Sequence, residues 1–198
     1  MAKIKLTKNE LKKQKDSLKR FQRYLPTLQL KKQQLQLVIR QVYQRIDEIR
    51  QKQEILQKSI NTWVQVFGEK NSIEDILVLD SIIIEAGNIA GVDIPVFKEA
   101  VFTIRPYDLL NASLWIDKAL LHLQELLTLE AEIEVLRKQR QALADELRTT
   151  TQRVNLFEKI KIPESRENIR KIGIYLGDAQ TAAVVRGKIA KSNILRTS

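Results

Sequence analysis

Apolar side chains recur at alternating steps of three and four along the first third of the chain. The ladder is Leu11, Leu18, Phe21, Leu25, Leu28, Leu35, Ile39, Val42, Ile46, Ile49, Leu56, Ile60, Trp63 and Phe67, interrupted only by Gln14, Lys32 and Gln53. A helix on the flank of a globule carries a wider stripe, and seldom for this long. A seam of two residues per heptad held over this distance is the pattern of a coiled coil, in which helices supercoil left-handedly to keep one narrow stripe buried. At about 1.5 Å per residue the helix would reach roughly 80 Å, and it needs a partner along its whole length.

The second half of the chain supplies one. A matching ladder runs through Ala112, Trp115, Ala119, His122, Leu126, Leu129, Ile133, Leu136, Arg140, Leu143, Leu147, Thr150, Val154 and Phe157. Over 114–129 it widens, because Ile116, Leu120, Leu121, Leu123 and Leu127 lie off the seam; that stretch is expected to bury more than one face. The economical fold is mainly α, a long antiparallel two-helix coiled coil with a short central β-hairpin, in which partner positions have numbers summing to roughly 180. The expected segments are an N-terminal coiled-coil helix over 1–67, a central region over 68–108, and a C-terminal coiled-coil helix with a slim extension over 109–198.

Glycine (6) and proline (4) are scarce and charged residues make up 29% of the 198, which favours long helices over a loop-rich globule. With no cysteine, disulfides, thiolate metal sites and cysteine nucleophiles are excluded. The start Met1-Ala2-Lys3-Ile4-Lys5 lacks a signal-peptide apolar stretch. The most apolar runs, 76–84 and 109–129, are broken by Asp80 and by Asp117, Lys118 and Glu125, short of the ~20 residues of a membrane span, so a soluble chain is expected. The net charge of +10 is unevenly spread: residues 1–58 hold 16 Lys/Arg against 5 Asp/Glu, residues 161–198 hold 8 against 3, and 59–160 hold 10 against 16. An antiparallel hairpin would gather both basic termini at one end and leave an acidic base, suiting different partners.

Thr7 with Glu10 forms a capping-box pattern at the first helix. Pro26, off the seam, is expected to kink or split that helix, and Pro163 demands a bend or a fresh start in the second. The stretch 75–81 reads equally as helical turn or strand. The β-branched runs around Gly87-Asn88-Ile89-Ala90-Gly91 read as a hairpin over about 81–97, with Asn88, Ala90 and Gly91 at its turn. Pro95 belongs on an edge strand. An isolated ribbon is marginal in water, and the over-apolar face of 114–129 is its natural support. Beyond Pro163 an apolar stripe continues through Ile169, Ile172, Leu176, Ala179 and Ala183. The last twenty-odd residues would run past the N-terminal helix unpaired, made slim by Gly173, Gly177, Ala182 and Gly187.

No catalytic constellation emerges. Gly87 and Gly91 lack the lysine-Ser/Thr pair of a phosphate-binding loop. The one histidine, His122, occupies a seam position with no cluster of ligands or nucleophile around it. Glu130, Glu132 and Glu134 read as a solvated helix face. Lys32 and Arg140 in the seam have numbers summing to about 172, so they are expected near one another, setting register or opening the coil to a partner. The basic residues Lys3, Lys5, Lys8, Lys12, Lys13, Lys15, Lys19, Arg20 and Arg23 fit a solvated face, nucleic acid phosphates or an acidic protein surface. Base-stacking aromatics and a groove-reading module are missing, so nucleic acid is unsupported.

The layout resembles the D subunits of the V/A-type ATPases and ATP synthases. Leu6-Thr7-Lys8-Asn9-Glu10-Leu11 is similar to the opening motif of that family, and Leu30-Lys31-Lys32-Gln33-Gln34-Leu35 to its lysine-rich segment. Asn88-Ile89-Ala90-Gly91-Val92-Asp93-Ile94-Pro95 is similar to its hairpin turn. Arg153-Val154-Asn155-Leu156-Phe157-Glu158, then Ile162-Pro163 and Glu167-Asn168-Ile169, resemble its C-terminal signature. Family members often carry a glycine before the lysine-rich segment, where this chain has Pro26. The resemblance implies a rotor shaft in the central stalk, without catalytic residues, cofactor or nucleotide of its own. Its termini, with Lys3, Lys5, Lys8, Lys12, Lys13, Lys188 and Lys191 as a basic tip, would face the catalytic and regulatory A and B subunits of the head. Its hairpin end would bind the small F subunit of the stalk and approach the component that couples the stalk to the membrane rotor. Such a chain would be cytoplasmic, peripheral to the membrane without inserting into it, and would bind no nucleic acid. A coiled-coil adaptor or scaffold of another assembly is the alternative.

The antiparallel pairing has a direct check. Leu18→Cys together with Ile162→Cys should cross-link within one chain under oxidation; cross-links formed only between chains would refute the hairpin.

Overall fold

The computed structural model describes residues 4–64, 76–106 and 115–197. Helix α1 (Lys8–Val64) is followed by strands β1 (Leu77–Ile89) and β2 (Val92–Ile104), helix α2 (Ile116–Asn155), a π-helical turn (Leu156–Lys161) and helix α3 (Ile162–Thr197). Lys3, Phe67, Ala112, Leu114 and the polar run 68–72 lie outside the described residues, as does the side chain of Trp63. The chain divides into a terminal unit, Met1–Lys32 with Thr149–Ser198, and a central unit, Gln33–Arg148.

In the terminal unit the Thr7 hydroxyl oxygen accepts the Glu10 backbone N–H at 3.2 Å, which satisfies one of the donors left open at a helix start. The Glu10 carboxylate does not close a capping box among the described bonds; it accepts the Gln14 side-chain amide at 2.8 Å. Pro26 does not split α1, which runs through it. Proline in a helix interior costs about 3 kcal/mol relative to alanine. Here it sits on the exposed side, where water can take the place of the missing N–H. The returning chain pairs antiparallel to α1: Phe21 packs on Phe157 with ring centroids 5.2 Å apart, and the Asn168 amide donates to the Gln14 side-chain oxygen at 3.5 Å. Both pairs follow the register expected from the two ladders.

Pro163 starts no new helix. The chain stays helical through the π turn just before it, where the Ile162 N–H bonds the Phe157 carbonyl rather than that of Glu158. A π turn holds one residue more than an α turn, so the stripe after it shifts by one position. The ladder from Val154 and Phe157 would next have used Lys161 and Glu164; the buried residues are instead Ile162, Ser165, Asn168 and Ile172. From residue 177 to 196 every side chain of α3 is exposed.

The central unit has a third layer. Leu35, Val42, Ile46 and Ile49 of α1, Ile133 and Leu143 of α2, and Ile94 of β2 form one buried cluster, against which Ile89, Ala90 and Val92 of the hairpin pack. Leu77, Ile116 and Leu120 form a second, joined by Phe102, Trp115, Leu123 and Leu127. The hairpin therefore does rest on the over-apolar start of α2, but it reaches further, and Ala131 and Val135 are buried too. The cause is length. The strands run over 77–104 rather than 81–97, and thirteen residues at about 3.3 Å each span roughly 43 Å, close to thirty residues of helix.

The antiparallel register shifts twice, between Leu79 and Ser81 and between Ile83 and Ile84. One shift leaves Asp80 unpaired on β1 and the other leaves Lys98 unpaired on β2, so they cancel, and Ile89 still faces Val92 across a two-residue turn. Each bulge carries an exposed charge with a partner: the Thr103 hydroxyl donates to Asp80 and the Lys98 ammonium to Glu85. Charged bulges keep the open edges of a ribbon from pairing with another chain. At the turn Ala90 (φ 53°) and Gly91 (φ 76°) are both left-handed, as a type I′ turn requires. The Asn88 side-chain oxygen Oδ1 accepts the Gly91 N–H at 3.1 Å, and its side-chain amide donates to the Asp93 carboxylate at 2.7 Å.

Leu143→Ala should cost about 2–5 kcal/mol in urea unfolding followed by circular dichroism, and Ile55→Ala, at an exposed position, within about 0.5 kcal/mol; equal effects would contradict the core described. Gly91→Ala meets no atom within 4 Å, so its loss should be the left-handed backbone cost alone, roughly 1–2 kcal/mol.

Candidate interaction surfaces

The seam is the first candidate surface, as the face on which the helices recognise each other. In the central unit Leu35, Val42, Ile46, Ile49, Ile133 and Leu143 are buried, while Ile39, Leu56, Ile60, Leu129, Leu136 and Leu147 are half-buried. In the terminal unit Val154 is buried, and Leu18, Phe21, Leu25, Leu28 and Phe157 are half-buried. Polar seam residues have specific partners. Gln14 meets Asn168, and the Gln53 amide donates to Glu130 at 2.8 Å. Arg140 has a partner within the central unit: its guanidinium lies 5.2 Å from the centre of the Tyr43 ring. Thr150 is buried and His122 half-buried.

A pairing that the ladders did not reveal flanks this seam. Arg45 makes a 2.9 Å ion pair with Glu132 and a longer one with Glu48; the hydrogen bond to Glu132 holds its guanidinium protonated beyond the ordinary range. Glu132 is thus more than the solvated face its alternation suggested. Flanking charges across a seam were the available signal. In the terminal unit Glu167 is held down to about 2, chiefly by its hydrogen bond to Arg170 and further by Lys171.

The second surface is basic. Lys5, Lys8, Lys12 and Lys13 are exposed, as are Lys188 and Lys191, and all six fall in the terminal unit. Lys12 and Lys13, with Asn9, Asp16 and Arg20, line a shallow open groove. The same unit exposes Val184, Val185, Ile189, Ile194 and Leu195 along α3.

The third is the hairpin. Asn88 clamps its exposed turn, Ala90 faces the buried cluster, Gly91 is exposed, and Pro95 is half-buried opposite Ala86. Leu79, Ile83, Ile84, Val96, Val101 and Ile104 remain 37–48% exposed, more apolar surface than a two-stranded ribbon needs to leave in water. Among the described residues no group of three or more His, Asp or Glu side chains could hold a metal ion, and no helix is long and apolar enough to cross a membrane. These surfaces are suited to binding other chains.

The family model for the D subunit of ATP synthase matches residues 10–192. The D subunit of the V-type ATP synthase of Borreliella burgdorferi is 48% identical over 196 residues, covering 99% of this chain and 97% of that protein. Those of Chlamydia abortus and Chlamydia caviae are 34% and 32% identical over 194 residues, covering 96% of this chain and 93% of each protein. With the match extending from the start of α1 to the exposed end of α3, the chain belongs to the family of ATP synthase D subunits.

Proposed function

We propose that this chain is the central-stalk shaft of a V/A-type ion-translocating ATPase or ATP synthase. It couples ATP turnover in the head to ion transport through the membrane rotor. The observation that carries the reading is the stretch 177–196 of α3, helical and exposed at every described side chain, with five large apolar residues among them. A lone helix with that much apolar surface in water calls for an enclosing partner. The small residues Gly177, Ala179, Ala182, Ala183 and Gly187 keep it slim enough to turn inside one. The A and B subunits of the head are the proposed enclosure, with Lys5, Lys8, Lys12, Lys13, Lys188 and Lys191 meeting acidic groups on its wall. The exposed apolar residues of the hairpin are the proposed seat of the small F subunit of the stalk, near the component that couples stalk to membrane. The chain contributes geometry and torque, and no catalytic group. Its place is on the cytoplasmic side, peripheral to the membrane.

Reconstitution separates the surfaces. The parent chain should form a one-to-one complex with the small stalk protein. Ile84→Asp with Val101→Asp should weaken it at least tenfold while circular dichroism stays unchanged. Val185→Asp with Ile189→Asp should leave that complex intact but abolish ATP-driven ion transport by the assembled enzyme. Full transport with the second pair, or no complex with the parent chain, would favour an adaptor over a shaft.

A further inference from the structure

Two irregularities of the terminal unit share one level of the helix pair. On the returning chain the π turn Leu156–Lys161 stands immediately before Pro163. On α1, Pro26 follows Phe21 by little more than a helical turn, and Phe21 stacks on Phe157, the second residue of the π turn. Each proline lacks the N–H that would bond the carbonyl four residues back. The carbonyls affected are those of Gln22 and Lys159, both on exposed residues. Regular hydrogen bonding is therefore interrupted on both helices around one aromatic contact.

Packing is thin at the same level. The π turn contains no buried residue, whereas Val154 before it and Ile162 after it are buried. Leu156, Ile160 and Tyr24 are exposed apolar side chains here, and the Phe21–Phe157 pair is flanked on α1 only by half-buried Leu18 and Leu25. Torsional resistance in a helix pair comes from its backbone bonds and its interdigitated side chains, and both are reduced at one place.

We propose that this level is a twist joint, where the terminal unit yields in torsion while the seam on either side stays paired. It stands apart from the shaft reading, because it is measured on the isolated full-length chain. The extra residue of the π turn also sets the phase of everything after it. Pro163→Ala alone would therefore leave the π turn in place. Deleting Glu158 together with Pro163→Ala removes the π turn and the proline of the returning chain, leaves Pro26 on α1, and keeps Ile162, Ser165 and Ile172 on the seam face.

Hydrogen exchange on the full-length chain tests this. Amides of 159–162 and 164 should exchange roughly tenfold or more faster than those of 145–152 and 168–174, and the Glu158 deletion with Pro163→Ala should bring them to the rate of their neighbours. Spin labels at Gln152 and Arg166, both exposed, should give a distance distribution that narrows in that variant. Equal exchange across these segments in the parent chain would overturn the joint, and so would an unchanged distribution in a folded variant. If the variant does not fold, Pro26→Ala supplies the second arm: it should slow exchange at 22–25 and 27, and no change there would overturn the joint as well.

Discussion

Two paired helices bury one narrow seam and leave most of their surface to water, and this limit shapes the rest of the molecule. Along the described side chains of α1, full burial is reached only at Leu35, Val42, Ile46 and Ile49, the four residues that share a cluster with Ile94 of the hairpin. Elsewhere on the described seam of α1 the side chains are half-buried. In the terminal unit burial is reached on the returning chain, at Val154, Ile162 and Ile172. A fully buried aliphatic side chain is worth about 1.5–3 kcal/mol against exposure, so the hairpin adds a core on the α1 side of the central unit. The dependence is mutual, since a two-stranded ribbon of this length needs a helix surface beneath it.

The polar contacts do different work. Arg45–Glu132 and Gln53–Glu130 are exposed or partly exposed pairs, and pairs of that kind contribute about 0–1 kcal/mol. Their value is positional. Each can form only if the two helices are paired in one register, and a slip by a heptad would leave Arg140 without Tyr43 and buried Asn168 without Gln14. An unpaired buried amide costs about 1–3 kcal/mol, so the polar seam residues penalise wrong registers more than they stabilise the right one.

Most of the architecture was legible because it rests on periodicity. The 3–4 repeat from Leu11 onward specifies helix and seam, and the repeat through Leu129 and Leu143 supplies the partner. Asn88, Ala90 and Gly91 mark a turn by backbone chemistry that few residues satisfy. The strand limits were not legible: with Asp80 and Lys98 each forming a bulge, the alternation of β1 and β2 breaks, and only the middle of the ribbon reads as strand. The reach of the hairpin to Ile133 was hidden with them. Contacts between charged flanks, such as Arg45 with Glu132, depend on rotamers that spacing alone does not choose. For the surfaces, exposure of Lys12 or Val185 shows that a partner can reach them, and sequence pattern says little about which partner does.

Pro163 shows how a seam constrains its own repair. A proline inside a helix can be accommodated by a kink, a break or a widened turn. A break would leave four carbonyls open on one side and four N–H groups on the other, within a pairing that has few other bonds. The widened turn keeps the helix continuous but advances the sequence by one residue. That is acceptable only if the residues beyond are already offset to match. They are: the seam passes from Phe157 to Ile162, a step of five where threes and fours are the rule, and then continues through Ser165 to Ile172. The five-residue step, the proline and the π turn are therefore one feature. Substituting the proline would leave the offset in place, and the wide turn would still be needed to bring Ile172 to the seam.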